Sequence, residues 1–520
     1  MKQNLLVNHS LLPVVSALVL LITATMIFAQ PFPQEFGISA RTGYLLDYGW
    51  HWDANRSFHP YDVQQWKSDR YSPASTEIES WLEVSSKCFS SHVWEQHTLS
   101  DSGVSIFAIV GLGVSGQSGA AKSYNHVGVQ PLLRVDTRYH RNWYGRLSVR
   151  TTNEPSSLDG FTGTSKEIER AGLKSAEVDE SVLGYRNRFA PIEYGPSREV
   201  WGPNSTTNLL LSNTSPSYER FVLEFRFKRI AYRYFFAFLE SKYVRESADT
   251  YQRYLVGRCV EYRNQKNLVI GVGEISLLTG IDRSVDWSFF NPIGVHLEIE
   301  QNKRQNSLGS NAQNDILFAN FDWLARKNLR ISGMFVLDEF QLDSRGSGSN
   351  TDALGFWGKV IWTPFATSFA KFSWLGTVYR CDTYTLQHSN PYTNAITRNK
   401  LLGDSRGNDS EDYQTGFRIL FKHPVLLEVV AGQTRWGDNR IQDHPYTTYE
   451  KFLSGPFPSG KIRTNQYLAV TIDSEPLPRL NLGVKGHIDL ETKGTDSAME
   501  QWTLTASYYL PYHYSTKDDE

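Results

Sequence analysis

Apolar and polar residues alternate singly along many short stretches of this chain, most clearly near its C-terminal end. Between 480 and 490, Leu480, Leu482, Val484, Ile488 and Leu490 hold one parity, and Asn481, Gly483, Lys485, His487 and Asp489 the other. Trp502, Leu504, Ala506, Tyr508 and Leu510 stand in the same way against Gln501, Thr503, Thr505 and Ser507. Successive side chains of a strand point to opposite faces, so each stretch predicts a strand with one apolar and one polar face. Strands of this length cross a hydrocarbon layer at a tilt, and their repetition is the pattern of a transmembrane β-barrel.

The strands pair into hairpins. Leu317, Ala319, Phe321 and Trp323 lead through Arg326-Lys327-Asn328 into Leu329, Ile331, Phe335 and Leu337. Phe221 to Phe227 lead through Lys228-Arg229 into Ala231 to Leu239, and Leu468, Val470 and Ile472 through Glu475-Pro476-Leu477-Pro478 into the run at Leu480. Tight turns of this kind belong at the periplasmic end of a barrel. Between the hairpins lie longer Ser-, Asn-, Asp-, Gly- and Pro-rich connections, 341–352, 383–413 and 437–463, which are expected outside the cell and where binding function is usually placed. At roughly 20 to 25 residues per strand and averaged loop, 104–514 accommodates about 16 to 20 strands.

The ends refine this picture. Lys2 precedes an uncharged apolar stretch from Leu11 to Phe28, closed by Ala29-Gln30 and followed by Pro31 and Pro33. This predicts a signal peptide over 1–29. Residues 30–102 alternate poorly, carry a helix-like spacing over 76–87, and are expected to form an N-terminal plug or periplasmic segment. The barrel is expected over 103–514, and 515–520 reads as an acidic tail.

Composition narrows the functional classes. Removing 1–29 takes away Lys2 from 53 basic residues, leaving 52 against 55 acidic and a net charge of −3, which predicts no nucleic-acid partner. Cys88, Cys259 and Cys381 lie far apart without metal-ligand spacing, so neither a disulfide framework nor a zinc site is expected. A mean hydropathy of −0.41 and the lack of a second long apolar run exclude a helical membrane protein. The 27 Tyr and 28 Phe fit aromatic girdles at the two membrane interfaces.

Motifs of catalysis are missing or misplaced. Gly111-Leu112-Gly113-Val114-Ser115-Gly116, with Asp136 beyond it, mimics a dinucleotide fingerprint, but Gln117-Ser118-Gly119 is a poor helix start and the segment reads as a Gly-rich barrel turn. Asp338 and Glu339 are strand neighbours facing opposite sides, so they cannot share one substrate. No H-E-x-x-H, G-x-S-x-G or P-loop pattern occurs, and the expectation is a non-enzymatic protein without cofactor or metal. Arg330, Asp322, Glu274, Lys485 and Asp489 are expected to face the lumen. Trp436, His444, Tyr446 and Tyr449, in or beside a long loop, are candidates for stacking on sugar rings, although girdle aromatics would look the same.

One region resembles a known family. Ile192 to Pro203 (IEYGPSREVWGP), then Asn208-Leu209-Leu210-Leu211-Ser212-Asn213, Phe290-Asn291-Pro292 and the strand closing at Asp338-Glu339 are similar to the Wzi family of capsule assembly proteins. Trp201, Gly202, Asn208, Ser212, Asn213, Asn291 and Pro292 match its motif; Thr214-Ser215 depart from it. The resemblance implies an outer-membrane barrel of about 18 strands in a Gram-negative bacterium, closed by inserted loops and an N-terminal plug. It further implies a lectin-like role in attaching capsular or related polysaccharide, with surface polysaccharide and outer-membrane lipid as partners. A porin or substrate-specific channel is the alternative on the same strand pattern.

Overall fold

The computed structural model describes residues 104–515 except 120–125, 140–141, 156–160, 166–171, 186–189, 203–207, 213, 228, 265–267, 303–309, 327, 340–352, 368, 422–424, 448–456, 478–479 and 494–499. The expected signal peptide, the segment 30–102, the helix at 76–87 and the tail from 516 lie outside the described residues.

Eight strands come first: β1 (Val104–Gly119), β2 (His126–Tyr139), β3 (Trp143–Thr152), β4 (Ser175–Tyr185), β5 (Ile192–Ser197), β6 (Tyr218–Phe227), β7 (Ile230–Phe238) and the short β8 (Lys242–Val244). Next are β9 (Asp249–Arg263), β10 (Leu268–Ile281), a short helix α1 (His296–Gln301), β11 (Ala312–Arg326), β12 (Leu329–Glu339), β13 (Ala353–Ala366) and β14 (Ala370–Cys381). After a two-strand ribbon in a loop, β15 (Ile396–Thr397) with β16 (Lys400–Leu401), the wall resumes as β17 (Ser410–Phe421), β18 (Val425–Trp436), β19 (Arg463–Leu477), β20 (Leu480–Lys493) and β21 (Glu500–Ser515).

Each wall strand pairs antiparallel with its neighbour, β8 being an extra rung on β9, and β1 pairs with β21 from Ser105↔Ser515 to Gly119↔Gln501. The result is a closed barrel of 18 strands with no free edge. Hairpin turns gather at one end with both ends of the wall, and the long connections gather at the other.

The alternation read from the sequence is the wall's two-sidedness. Val110, Leu112 and Val114 of β1, Leu504, Tyr508 and Leu510 of β21, and Val260, Val272, Phe321, Phe335, Phe356 and Trp374 elsewhere are exposed on the outer face. An exposed apolar band over so much of the circumference is stable only against lipid.

Three expectations need correction. Gly111 to Gly116 form the middle of β1 rather than a turn. Gly113 and Ser115 share a face opposite exposed Leu112 and Val114, so the small residues look inward while their apolar neighbours hold the strand in the membrane band. Glu274 faces outward, in register with Leu317 and Arg258, whereas Asp322, Arg330, Lys485 and Asp489 do face the lumen. The third is the turn expected at 475–478: β19 runs on to Leu477, which pairs with Leu480 beyond a register shift, so 475–477 belong to the strand.

Candidate functional site: the filled lumen and the loop crown

The inward faces of β6 to β14 carry large apolar side chains, and two long loops fold in to meet them. From the β5–β6 connection come Trp201, Leu209, Leu210 and Leu211; from the β14–β17 connection come Leu386, Ala395 and Leu402. They pack against Phe235, Leu255, Ile275, Phe318, Val336, Trp357 and Tyr379 of the wall. Trp201 is wholly buried, with its ring 5.1 Å from Phe235 and 5.3 Å from Phe318. This side of the lumen is therefore an interior core, packed as a soluble domain is.

Backbone geometry explains why the motif residues are what they are. Gly202 has φ +118°, in the region that favours glycine, and a Cβ there would lie 2.5 Å from the Asn208 side chain. At Gly403 a Cβ would come within 1.8 Å of the Leu209 carbonyl oxygen, so only glycine lets the two loops cross. Ser212 ties them, its backbone N–H donating to Leu402 O (2.9 Å) and its hydroxyl to Gly403 O (2.9 Å). Asn208 is wholly buried in the same crossing, while Asn213 lies outside the described residues. Asn291 and Pro292 stand apart, on the outer face of the wall, where Tyr232 donates its hydroxyl hydrogen to the Pro292 carbonyl.

Beside the apolar core runs a chain of alternating charges. Arg146 bridges Glu180 (3.1 Å) and Glu193 (2.7 Å); Arg220 bridges Glu193 and Glu199; Arg233 bridges Glu199 (2.8 Å) and Glu224 (2.8 Å). A second branch runs Glu177–Arg150–Asp179–Arg198. Glu199, at the start of the β5–β6 loop, is fully buried and also accepts the Trp201 indole N–H at 3.1 Å. The network thus fixes the loop to the wall at the residue next to the core's central ring but one. Paired, these charges tolerate burial; singly, each would be costly.

Above the core, loops lock into a crown. Asp409, at φ +51°, accepts hydrogen bonds from Thr383 (2.8 Å), Asn439 N (3.0 Å) and Ser459 N (2.8 Å), joining the β14–β17 and β18–β19 connections. Arg253 reaches from β9 to donate to the carbonyls of Tyr392 (2.7 Å), Asn394 (2.9 Å) and Ile396 (2.9 Å), and to the Tyr446 hydroxyl (3.2 Å). Burial pushes the Tyr446 phenol above its ordinary value, against the opposing pull of Arg253.

Of the sequence candidates, Tyr446 lies in this crown, its ring 4.3 Å from the Lys242 ammonium and its hydroxyl donating to Glu240 (2.8 Å). Trp436 ends β18 beneath the Arg440 guanidinium, 5.9 Å from its ring centre, and His444 is exposed. Among the described residues no ring contact joins Trp436 to Tyr446, and Tyr449 falls outside them. The sequence did not single out Tyr251 and Tyr392, whose rings stack at 3.9 Å, with Tyr392 6.1 Å from Tyr446. Only Tyr251 left a trace, since it alternates onto the same face as Arg253. Among the described residues no group of three or more His, Cys, Asp or Glu is placed to hold a metal ion.

A closed antiparallel barrel with an apolar belt, tight turns at one end and long loops at the other is an outer-membrane β-barrel, resident in the Gram-negative outer membrane. No family model matches the sequence, and no curated protein matches it by sequence. By structure the chain is similar to Wzi of Escherichia coli, described as a carbohydrate-binding β-barrel involved in group 1 capsule assembly. That likeness has a TM-score of 0.52 at 10% identity over 78% of this chain and 84% of that one. The chain is also similar to two proteins of Pseudomonas aeruginosa. OpdK has a TM-score of 0.46 and 12% identity over 79% of this chain and 99% of that one; OprD has 0.44 and 8% over 78% and 95%. At these identities the likeness is one of fold.

Proposed function

We propose that this chain is a non-enzymatic outer-membrane barrel that associates with capsular or related surface polysaccharide, in the manner of the Wzi family, through its loop crown. The observation that carries the reading is the apolar core around Trp201. Loops that fold inward and pack as an interior turn the looped end into a platform rather than the vestibule of a wide pore. On that platform Tyr446, Tyr392 and Tyr251 provide faces for sugar rings, and Lys242, Glu240 and exposed His444 offer donors and acceptors to hydroxyls. Trp436, at the end of β18, is proposed to extend this surface, and Tyr449, outside the described residues, is kept as a proposed sugar contact from its sequence position. The Wzi-like motif at Trp201, Gly202, Asn208 and Ser212 supports the reading by supplying the crossing on which the platform rests. Deleting the gene should release polysaccharide from the cell surface into the medium; a strain that retains it unchanged would sink the proposal.

A substrate channel is the second reading. It is favoured by the lumen wall opposite the core, where Gly113, Ser115, Gly483 and Thr505 are small and Lys485 is exposed. Conductance steps in planar bilayers would support it, and a silent bilayer would count against it.

A further inference from the structure

The described stretch 282–302 of the β10–β11 connection packs on the barrel wall rather than in the crown. Residues 282–302 fold down the outside of the wall and cover the outer face of β7, β9, β10 and β11. Phe289 is fully buried there against Tyr234, Phe236, Tyr254, Val256 and Leu278, all on the parity opposite the lumenal Arg233, Phe235 and Leu255.

The wall is built to receive this strap. Tyr232 donates to Pro292 O, Tyr234 to Phe289 O (2.7 Å) and Tyr254 to Arg283 O (2.7 Å). Glu274 accepts the His296 backbone N–H (3.0 Å), Gln313 donates to His296 O (3.1 Å), and Arg258 contacts both Glu274 (3.2 Å) and the His296 ring. These six wall side chains point away from the lumen, and the hydroxyls of Tyr232, Tyr234 and Tyr254 all donate to strap carbonyls.

Depth decides what the strap's other face meets. A strand tilted by about 40° climbs about 2.5 Å per residue, so Glu274, seventh in β10, stands about 15 Å above the turn end within an apolar band about 25 Å tall. Immediately below, Ile270 and Val272 of β10 and Val260 and Tyr262 of β9 are exposed and belong to the lipid-facing band. The strap continues that band outward: Trp287 is 81% exposed, Ile293 85% and Val295 57%. An outward carboxylate and guanidinium at this depth are tolerable because the strap seals them from hydrocarbon.

We infer that residues 282–302 form a membrane-embedded strap whose exposed Trp287, Ile293 and Val295 dock on the acyl chains of the outer leaflet. The strap shields the Arg258–Glu274–His296 cluster and gives the barrel a lipid contact that its strands alone do not make. This inference does not depend on the polysaccharide reading, and its failure would leave that reading untouched.

Spin labels test it in the full barrel reconstituted into phosphatidylcholine vesicles. In a Cys88→Ser background, where Cys259 and Cys381 are buried, labels are placed by Ile293→Cys and Val295→Cys. Val272→Cys on the outer wall and Tyr243→Cys on β8 at the looped end are the lipid and water references. Labels at 293 and 295 should collide freely with molecular oxygen and weakly with a water-soluble nickel chelate, matching position 272 and opposite to 243. Nickel accessibility like that at 243 would overturn the inference by placing the strap in water. Exclusion of both reagents would overturn it equally, by showing that protein rather than lipid covers the strap.

Discussion

At the scale of single residues, Trp201 and Glu199 carry the most consequence. Truncating a fully buried indole costs about 3–5 kcal/mol, so Trp201→Ala should lower the urea midpoint of the refolded barrel markedly, and an unchanged midpoint would show that the loop core adds nothing. Glu199→Gln changes almost no volume but leaves Arg220 and Arg233 facing one another with their shared carboxylate gone. Breaking a buried pair from one side costs about 3–5 kcal/mol, and the same unfolding assay measures it. The motif at Trp201 and Gly202 stood out in the sequence, but its task was illegible there. Phe235 and Phe318, the partners of Trp201, and Leu402 and Gly403, the partners of Ser212, lie in other elements, and nothing local encodes which loop crosses which. Glu274 was misread for a related reason: alternation separates two faces without labelling them. On β9 to β11 the outer face also carries polar groups, where the strap covers them.

Among elements, strands were far more legible than loops. A strand's parity is a local property, and so the runs at 480–490, 502–510 and 317–337 all reappear as wall. Gly111 to Gly116 failed because glycine's low strand preference suggests a turn when the lumen it faces is unknown. Loops follow no period, and the length of 383–413 gave no sign that its first half dives into the barrel. That loop also carries a pH dependence. Burial lowers the His388 imidazole from 6.5 to about 4, and its Nδ1 accepts the Asn390 backbone N–H at 3.2 Å. The ring is neutral when the loop is seated, so its contribution is complete above pH 6.5, erodes as the pH falls below that, and is lost once the pH has passed about 4. Amide protection factors across 382–409, which divide out the pH dependence of intrinsic exchange, should therefore be lower at pH 5 than at pH 7.5, and His388→Gln should flatten the difference; equal protection at both pH values would refute this.

For the whole molecule, the fold class and the gathering of tight turns at one end were readable in the alternation, whereas loops filling the lumen were implied only by the family resemblance, because a plug is a relation between distant segments. Closure is the global feature that most constrains behaviour. Ending the chain before Glu500 deletes β21 and strips β1 and β20 of a partner each. Such a variant should lack the compact, heat-sensitive band of folded barrels on unheated gels, and a normal band would show that closure is dispensable. The same seam, Ser105 against Ser515, governs how the protein is made. The first strand waits, one edge bare, until the last has been delivered, so no part of the circumference can become finished surface early. A cell making this chain must keep its oldest segment from pairing with strangers until its youngest arrives.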